Sequence, residues 1–382
     1  MSLLSEYEQR TSWKYEPISG SFHTHERLAK KVNLEGSYAP FAGSTVVFRT
    51  DIYCQQIIAL MQKVLFHNLN GSDMMASVLP AYTAHMTLHD LFSPDINGNI
   101  PDSLKRASSI VQEIQREYSG RKLTMKADRI VNMVSKALVL MLKPQTEEDY
   151  QFLLELYHRF DSIQRLPYPL TPHITIGYFK PGMLDGNLLG KAVDSAQIRP
   201  ENAPVFEFYP ESLTAQYFAD MQHYTDIPMK ICFCCDGGLN RSVMTASIVN
   251  HMAKEQNLPI ICEARSAYPN TQGKAISELV WSALESNGIF ADRTHSEAKY
   301  LERCEISHFT AFAAISSGAV QRLSVLEIPE ERNLSSFFYG VPDPEYDAVS
   351  YADAFKELYK RAEKWIDEAK THFPEFISMN QC

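Results

Sequence analysis

The stretch Cys235-Asp-Gly-Gly-Leu-Asn-Arg241-Ser242 constrains this chain more than any other. The apolar run Ile231-Cys-Phe-Cys234 before it reads as a buried strand, and Val243 to His251 after it reads as a helix with an apolar stripe. A strand, a tight glycine loop and a helix together make a cradle for an anion. Gly237 and Gly238 let successive backbone N–H groups turn inward, and the helix that starts near Ser242 directs its positive end at the same point. The loop residues Asp236, Gly237, Gly238, Leu239, Asn240, Arg241 and Ser242 are therefore the candidate phosphate-binding set. A thiol at the mouth of such a loop sits in a field that favours its anion, which makes Cys235 a candidate nucleophile. Arg241 can hold two oxygens of a phosphoryl group bidentately, and Ser242 can donate a hydrogen bond to the sulfur.

The pattern Cys-x5-Arg-Ser resembles the signature of the low-molecular-weight protein tyrosine phosphatases. The resemblance continues in Asp343-Pro344, with a helical run from about Ala352 to Ala369 behind it. It includes Arg265-Ser-Ala267 after a second apolar strand, and Phe312 to Arg322 as a third strand running into a helix. It covers residues 229–382. It implies a doubly wound parallel sheet carrying a phosphate-binding loop, hydrolysis of phosphomonoesters through a phosphocysteine intermediate, and Asp343 as the general acid. The chain departs from that family in three places. Gly238 stands where the family has Asn, Asn240 where it has a second loop cysteine, and Glu345 where an aromatic residue follows the Asp-Pro pair, with Tyr346 one step later. The Asn-Arg-Ser ending is similar to a related phosphatase class that acts on the tail of RNA polymerase.

A second constellation lies upstream. Ala84-His85-Met86-Thr87-Leu88-His89 and Pro172-His173-Ile174-Thr175-Ile176 share one pattern: His, an apolar residue, Thr, an apolar residue. Side chains alternate along a strand, so His85 and Thr87 point to one face, and His173 and Thr175 likewise. The two copies stand about one strand-helix-strand unit apart, as an internal duplication gives. Two such lobes facing each other converge two imidazoles and two hydroxyls on one cleft. Opening a cyclic phosphodiester by water needs one group to take a proton and another to give one, and histidine suits both roles near neutrality. This arrangement resembles the 2H phosphoesterase superfamily, which includes the 2′-5′ RNA ligase-like proteins and the cyclic phosphodiesterases. The resemblance covers residues 20–226 of a domain placed at 1–226, and it implies duplicated β-sheet lobes with flanking helices and catalytic His85, Thr87, His173 and Thr175. No metal and no cofactor are called for. A zinc pair from His85 and His89 is not expected either, because such a pair needs a helix and a neighbouring Glu, where this chain has Met86 on a strand.

With 382 residues, 45% of them hydrophobic, the chain can bury two separate cores. The reading is thus of two domains, one α+β and one α/β. Strands are expected at 44–49 and 137–142, helices at 54–67, 102–118 and 147–160, and a closing hairpin at 205–209 and 213–218. The short link 224–230 carries no Gly/Ser-rich spacer, so the domains are expected to pack with limited freedom. A formal net charge of −10 argues against duplex nucleic acid and anionic membrane as partners. It leaves open a local basic pocket for a phosphorylated small molecule, a nucleotide, an RNA end or a phosphoprotein. The cysteines at 54, 232, 234, 235, 262, 304 and 382 have no disulfide-like or metal-like spacing, and the start Met-Ser-Leu-Leu lacks a basic leader. A reducing, cytoplasmic setting is the expectation.

A cyclic phosphodiesterase leaves a monoester, and a Cys-Arg loop removes one. The sequence therefore suggests a bifunctional phosphoesterase acting in two steps. The alternative is a protein tyrosine phosphatase whose first domain senses a nucleotide without hydrolysing it.

Overall fold

The computed structural model describes residues 2–12, 18–69, 71–96, 98–291, 293 and 296–374. Cys382 and the last residues of the 229–382 assignment lie outside the described residues. The chain divides into two compact units, Met1–Tyr224 and Thr225–Cys382.

In the first unit, α1 (Leu3–Ser12) and the short β1 (Ser21–His23) lead to β2 (Gly43–Arg49), α2 (Ile52–Leu69) and β3 (His85–Phe92). There follow α3 (Ile100–Glu117), β4 (Leu123–Met133), β5 (Ala137–Pro144), α4 (Glu147–His158) and β6 (His173–Tyr178). β7 (Met183–Asp185), α5 (Gly186–Ala196), β8 (Val205–Phe208) and β9 (Leu213–Phe218) complete it, and β10 (Tyr224–Ile227) spans the boundary between the units. Helical periodicity explains α2, which buries Ile58, Met61, Leu65 and Leu69 and leaves Leu60 exposed. α4 starts on a capping box in which Thr146 and Asp149 satisfy each other's backbone N–H groups.

The strands β9-β2-β3-β6-β5-β4-β8 lie side by side, and every neighbouring pair is antiparallel. The strand-helix-strand runs β2-α2-β3 and β5-α4-β6 thus bring their last strands together mid-sheet, with Met86 opposite Ile174. The expected hairpin of 205–209 with 213–218 does not form: β8 pairs with β4 and β9 with β2, toward opposite sides of the sheet. Instead of a two-residue hairpin turn, the link is a 3-10 turn (Pro210–Ser212) that opens on a proline. Its far end is held by the Gln115 amide, which donates to the Leu213 carbonyl at 2.8 Å. Six strand spacings in a flat sheet amount to roughly 29 Å, whereas five Cα steps from Phe208 to Leu213 reach about 19 Å at most. The sheet is therefore strongly curled, and the Phe208 ring lies 5.6 Å from that of Phe48 on β2.

In the second unit β11 (Met229–Cys235) is the middle strand of the parallel order β12-β11-β13, between β12 (Ile260–Ser266) and β13 (Ala311–Ala314). Ile231 to Cys235 are all buried, as a central parallel strand requires. α6 (Arg241–Glu255), α7 (Glu278–Glu285), α8 (Ser317–Val325), α9 (Ser335–Phe338) and α10 (Tyr351–Ala369) surround the sheet. The chain leaves β11 toward one neighbour and returns later on its other side, so the carboxyl end of β11 is the topological switch point, where ligands bind in such sheets. Arg265 belongs to β12 itself rather than to a loop after it. It is buried there because Glu263 and Glu305 each accept from its Nη2 at 2.8 Å. Among the described residues no helix is long and apolar enough to cross a membrane.

Candidate functional site

The carboxyl end of β11 delivers Cys235 to the floor of a cleft of about 1050 Å³. Asp236, Gly237, Leu239, Asn240, Arg241 and Asp343 line the same cleft. Two polar groups meet the sulfur: the Gly238 N–H donates to Sγ at 3.3 Å, and the Ser242 hydroxyl lies 3.1 Å away. Gly238 has φ +66°, and a Cβ there would come within 2.9 Å of the Ser266 backbone nitrogen. Only glycine can turn its N–H to the sulfur while passing that close to β12.

Arg241 begins α6 and is 7% exposed. Its Nη1 donates to the Val341 carbonyl at 3.0 Å, and its Nη2 sits between Asp343 Oδ2 at 2.8 Å and Asp236 Oδ2 at 3.1 Å. Its Nε is buried and has no hydrogen-bond partner among the described residues. A buried guanidinium donor left unmatched is costly unless a ligand takes it. Asn240, at the N-cap position, spends its side chain elsewhere. Its amide donates to Glu345 Oε2 at 3.0 Å and to Asp343 Oδ1 at 3.4 Å, tying the loop to the Asp-Pro segment. Asp343 is fixed further by the Glu345 N–H on Oδ1 at 3.1 Å, and its own N–H donates to Asp347 Oδ2 at 2.6 Å. Burial pushes the thiols of Cys232, Cys234 and Cys262 up, which keeps these three strand cysteines protonated in the core.

In the first unit His85, Thr87, His173 and Thr175 line one cavity of about 200 Å³. Met86 faces Ile174 in an antiparallel pair, so His85 stands across from Thr175, and Thr87 across from His173. The two imidazoles thus occupy diagonal corners, with Cβ atoms about 7–8 Å apart. Their anchoring is the same: His85 Nδ1 meets the Thr83 carbonyl at 2.8 Å, and His173 Nδ1 the Thr171 carbonyl at 2.7 Å. A carbonyl partner calls for a proton on Nδ1, which leaves Nε2 as the basic nitrogen of each ring. Burial pushes His173 below its ordinary value, against the opposing pull of the Thr171 carbonyl and Asp90.

Strand alternation places His89 beside His85, but β3 bulges. Val46 pairs with His89 and Val47 with Thr87, which leaves Leu88 unpaired. β6 bulges at the equivalent place, with Ile176 unpaired between Thr175 and Gly177. Each bulge reverses the side-chain parity. His89 therefore turns into the core, its ring 4.9 Å from that of Tyr157, while Asp90 and Tyr178 join the cavity wall. The buried Gln62 amide donates to the Ile176 carbonyl that the bulge sets free, at 3.0 Å. Burial pushes the Tyr178 phenol up to about 12, so it acts as a donor. Lys31, which follows a 3-10 turn (Glu26–Lys30), also lines the cavity, its Nζ 4.7 Å above the Phe41 ring. Asp90, Tyr178 and Lys31 were out of reach of the motif reading. The bulges had no sequence signal, and the stretch before residue 44 showed no pattern.

The chain matches no protein-family model and no curated protein. Among solved structures it is similar to YfkJ from Bacillus subtilis, at 16% identity with a TM-score of 0.35, over 38% of this chain and 97% of that one. It is similar to a low molecular weight protein tyrosine phosphatase from Streptococcus pyogenes, at 22% identity with a TM-score of 0.32, over 37% and 92%. A third likeness is to the YwlE arginine phosphatase from Geobacillus stearothermophilus, at 23% identity with a TM-score of 0.32, over 38% and 94%.

Proposed function

We propose that this chain is a bifunctional phosphoesterase: the second unit hydrolyses phosphomonoesters through a phosphocysteine, and the first opens cyclic phosphodiesters without a metal. The observation that carries the first activity is the convergence at one loop of the Cys235 sulfur, the Gly238 N–H and Ser242 hydroxyl beside it, and the unmatched buried Nε of Arg241.

The Cys235 thiolate attacks phosphorus, the P–S bond forms and the ester P–O bond breaks, with Asp343 giving its proton to the leaving oxygen. Arg241 and the loop N–H groups hold the equatorial oxygens while charge builds on them. A phosphoryl group there competes with Asp236 and Asp343 for the guanidinium. In the second step water attacks phosphorus, the Asp343 carboxylate takes its proton, and the thiolate departs. Glu345 and Asp347 add negative charge to the rim of the same cleft, which disfavours acidic phosphopeptides. A reducing compartment such as the cytoplasm suits a thiolate nucleophile.

In the first unit, water adds to the phosphorus of a cyclic phosphodiester. One imidazole takes the water proton and the diagonal one protonates the ring oxygen as its P–O bond breaks. Thr87 and Thr175 hold the non-bridging oxygens. The product is a phosphomonoester, the class of compound that the Cys235 loop consumes, so a nucleotide or an RNA end can pass through both reactions in turn.

The test is product analysis with 2′,3′-cyclic nucleotides. Wild type should give nucleoside and free phosphate, Cys235→Ser should stop at the monoester, and His173→Ala should leave the cyclic compound intact while still hydrolysing p-nitrophenyl phosphate. Wild type that stops at the monoester would end the two-step reading.

A further inference from the structure

Beside the histidine cavity lies a larger one of about 810 Å³, which shares Lys31, Thr87, Asp90, His173 and Phe218 with it. Its wall carries three cations, Arg27, Lys31 and Lys136, and two carboxylates, Asp90 and Asp95. Neither carboxylate forms an ion pair with any of the three among the described residues, although both attract Lys31 at longer range. Asp95 is held by Lys30 at 2.7 Å, and Asp90 accepts the Tyr168 hydroxyl at 2.9 Å. Among the described residues no hydrogen bond or ion pair engages the ammonium of Lys31 or Lys136.

Lys136 is placed by the tight turn between β4 and β5, whose Ser135 carbonyl accepts the backbone N–H of His25 at 2.9 Å. This bond joins the turn to the segment that carries Lys31. Burial lowers Lys136 from its ordinary value, and the positive charges of Lys31, Arg27 and Lys30 lower it further, against a pull from Asp95. Burial acts on Lys31 in the same direction. On a chain of net charge −10, this is a half-buried cationic wall with too little negative charge against it. The same cavity is lined by Tyr157, Tyr168 and Leu166, side chains suited to a flat ring.

We propose that this cavity is a second anion subsite for nucleotides carrying a phosphate or pyrophosphate group in addition to the cyclic phosphodiester held at His85 and His173. Lys31 and Lys136 take the additional phosphate, and the base lies against the tyrosine wall. The first unit then takes phosphorylated nucleotide derivatives in preference to the bare cyclic mononucleotides that it also opens. This rests on the cyclic phosphodiesterase reading for its catalytic half, but the subsite itself can be measured without turnover.

The experiment is calorimetric titration of the full chain with adenosine 5′-diphosphate and with adenosine. The diphosphate should bind at least about tenfold more tightly, and Lys136→Gln should remove about tenfold of that affinity, the scale of one charge-assisted contact. Lys122→Gln, an exposed lysine paired with Glu207 on the edge of the sheet, should change nothing. Because Lys31 packs over Phe41 and its loss can disturb folding, Lys136 on its turn is the deciding variant. Equal affinities for the two ligands, or diphosphate binding that Lys136→Gln leaves intact, would overturn the proposal; the latter would mean that the Cys235 loop holds the diphosphate. Binding that depends on Lys136 in a protein that leaves cyclic nucleotides untouched supports the subsite and defeats only the catalytic reading.

Discussion

Gly238→Ala tests the geometry of the Cys235 loop with a single methyl group. At φ +66° a residue with a Cβ is strained by roughly 1–2 kcal/mol. The new Cβ would also stand 2.9 Å from Ser266 N and 3.0 Å from Ser266 Cα and Cβ. Ser266 cannot yield easily, since its N–H donates to the Lys299 carbonyl at 2.7 Å and its hydroxyl to the Asp236 carbonyl at 2.9 Å. Overpacking of this kind costs about 1–3 kcal/mol. The sum, roughly 2–5 kcal/mol, corresponds to a fall of about 4–20 °C in melting temperature for a unit of this size. If the loop relieves the clash by moving, the Gly238 N–H leaves the sulfur, and loss of one such donor lowers kcat on the order of 10²-fold. Gly237→Ala is the matched control, because the nearest atoms to its Cβ would be those of the Leu239 side chain, at an ordinary contact distance of 3.5 Å. Differential scanning calorimetry and p-nitrophenyl phosphate turnover measure both effects. A Gly238→Ala protein that melts with wild type and keeps its kcat within a factor of two or three refutes the loop geometry.

Three further outcomes follow from particular contacts. The turn residues Val134 and Ser135 have φ +47° and +51°, so replacing them with Asn and Gly should raise stability by about 1 kcal/mol in urea unfolding, and no gain would contradict the strain. His173 is held below its ordinary 6.5 by burial, so the unfolded chain takes up that proton first as pH falls. Stability should therefore be lost on acidification from about pH 6.5 downward, and His173→Asn should lose less between pH 8 and pH 5 than wild type, an equal loss contradicting the buried neutral ring. Arg241→Lys should keep the charge yet lower kcat/KM for aryl phosphates by at least about tenfold, because a lysine cannot supply the paired Nε and Nη donors; activity near wild type would contradict that role.

The contiguous parts of both sites were open to sequence reading because the backbone alone dictates them. Strand, glycines and helix put Cys235, Arg241 and Ser242 in one loop, and a period of two puts His85 with Thr87 and His173 with Thr175. What stayed hidden depended on pairing between distant segments. The bulges at Leu88 and Ile176 show only against their partner strands, so Asp90 and Tyr178 were missed. Lys31 and Lys136 meet through a backbone bond between a loop and a turn that no periodicity announces. Strands 205–208 and 213–218 look like a hairpin because they are short, close and separated by turn residues, yet the curled sheet gives each a different partner. Arg265 seemed to follow its strand because a charged residue inside a buried parallel strand is costly. Glu263 and Glu305 offset that cost only in three dimensions.

The central claim is that Cys235 carries a phosphoryl group during turnover. Acid quenching of an Asp343→Asn variant during hydrolysis of p-nitrophenyl phosphate, followed by mass spectrometry of the Cys235 peptide, tests it most directly. The good leaving group lets the first step proceed while the second stalls. The account predicts one phosphoryl group on Cys235 and none in the Cys235→Ser protein. Phosphate release that continues in Cys235→Ser, with no adduct on the peptide in either variant, would contradict it.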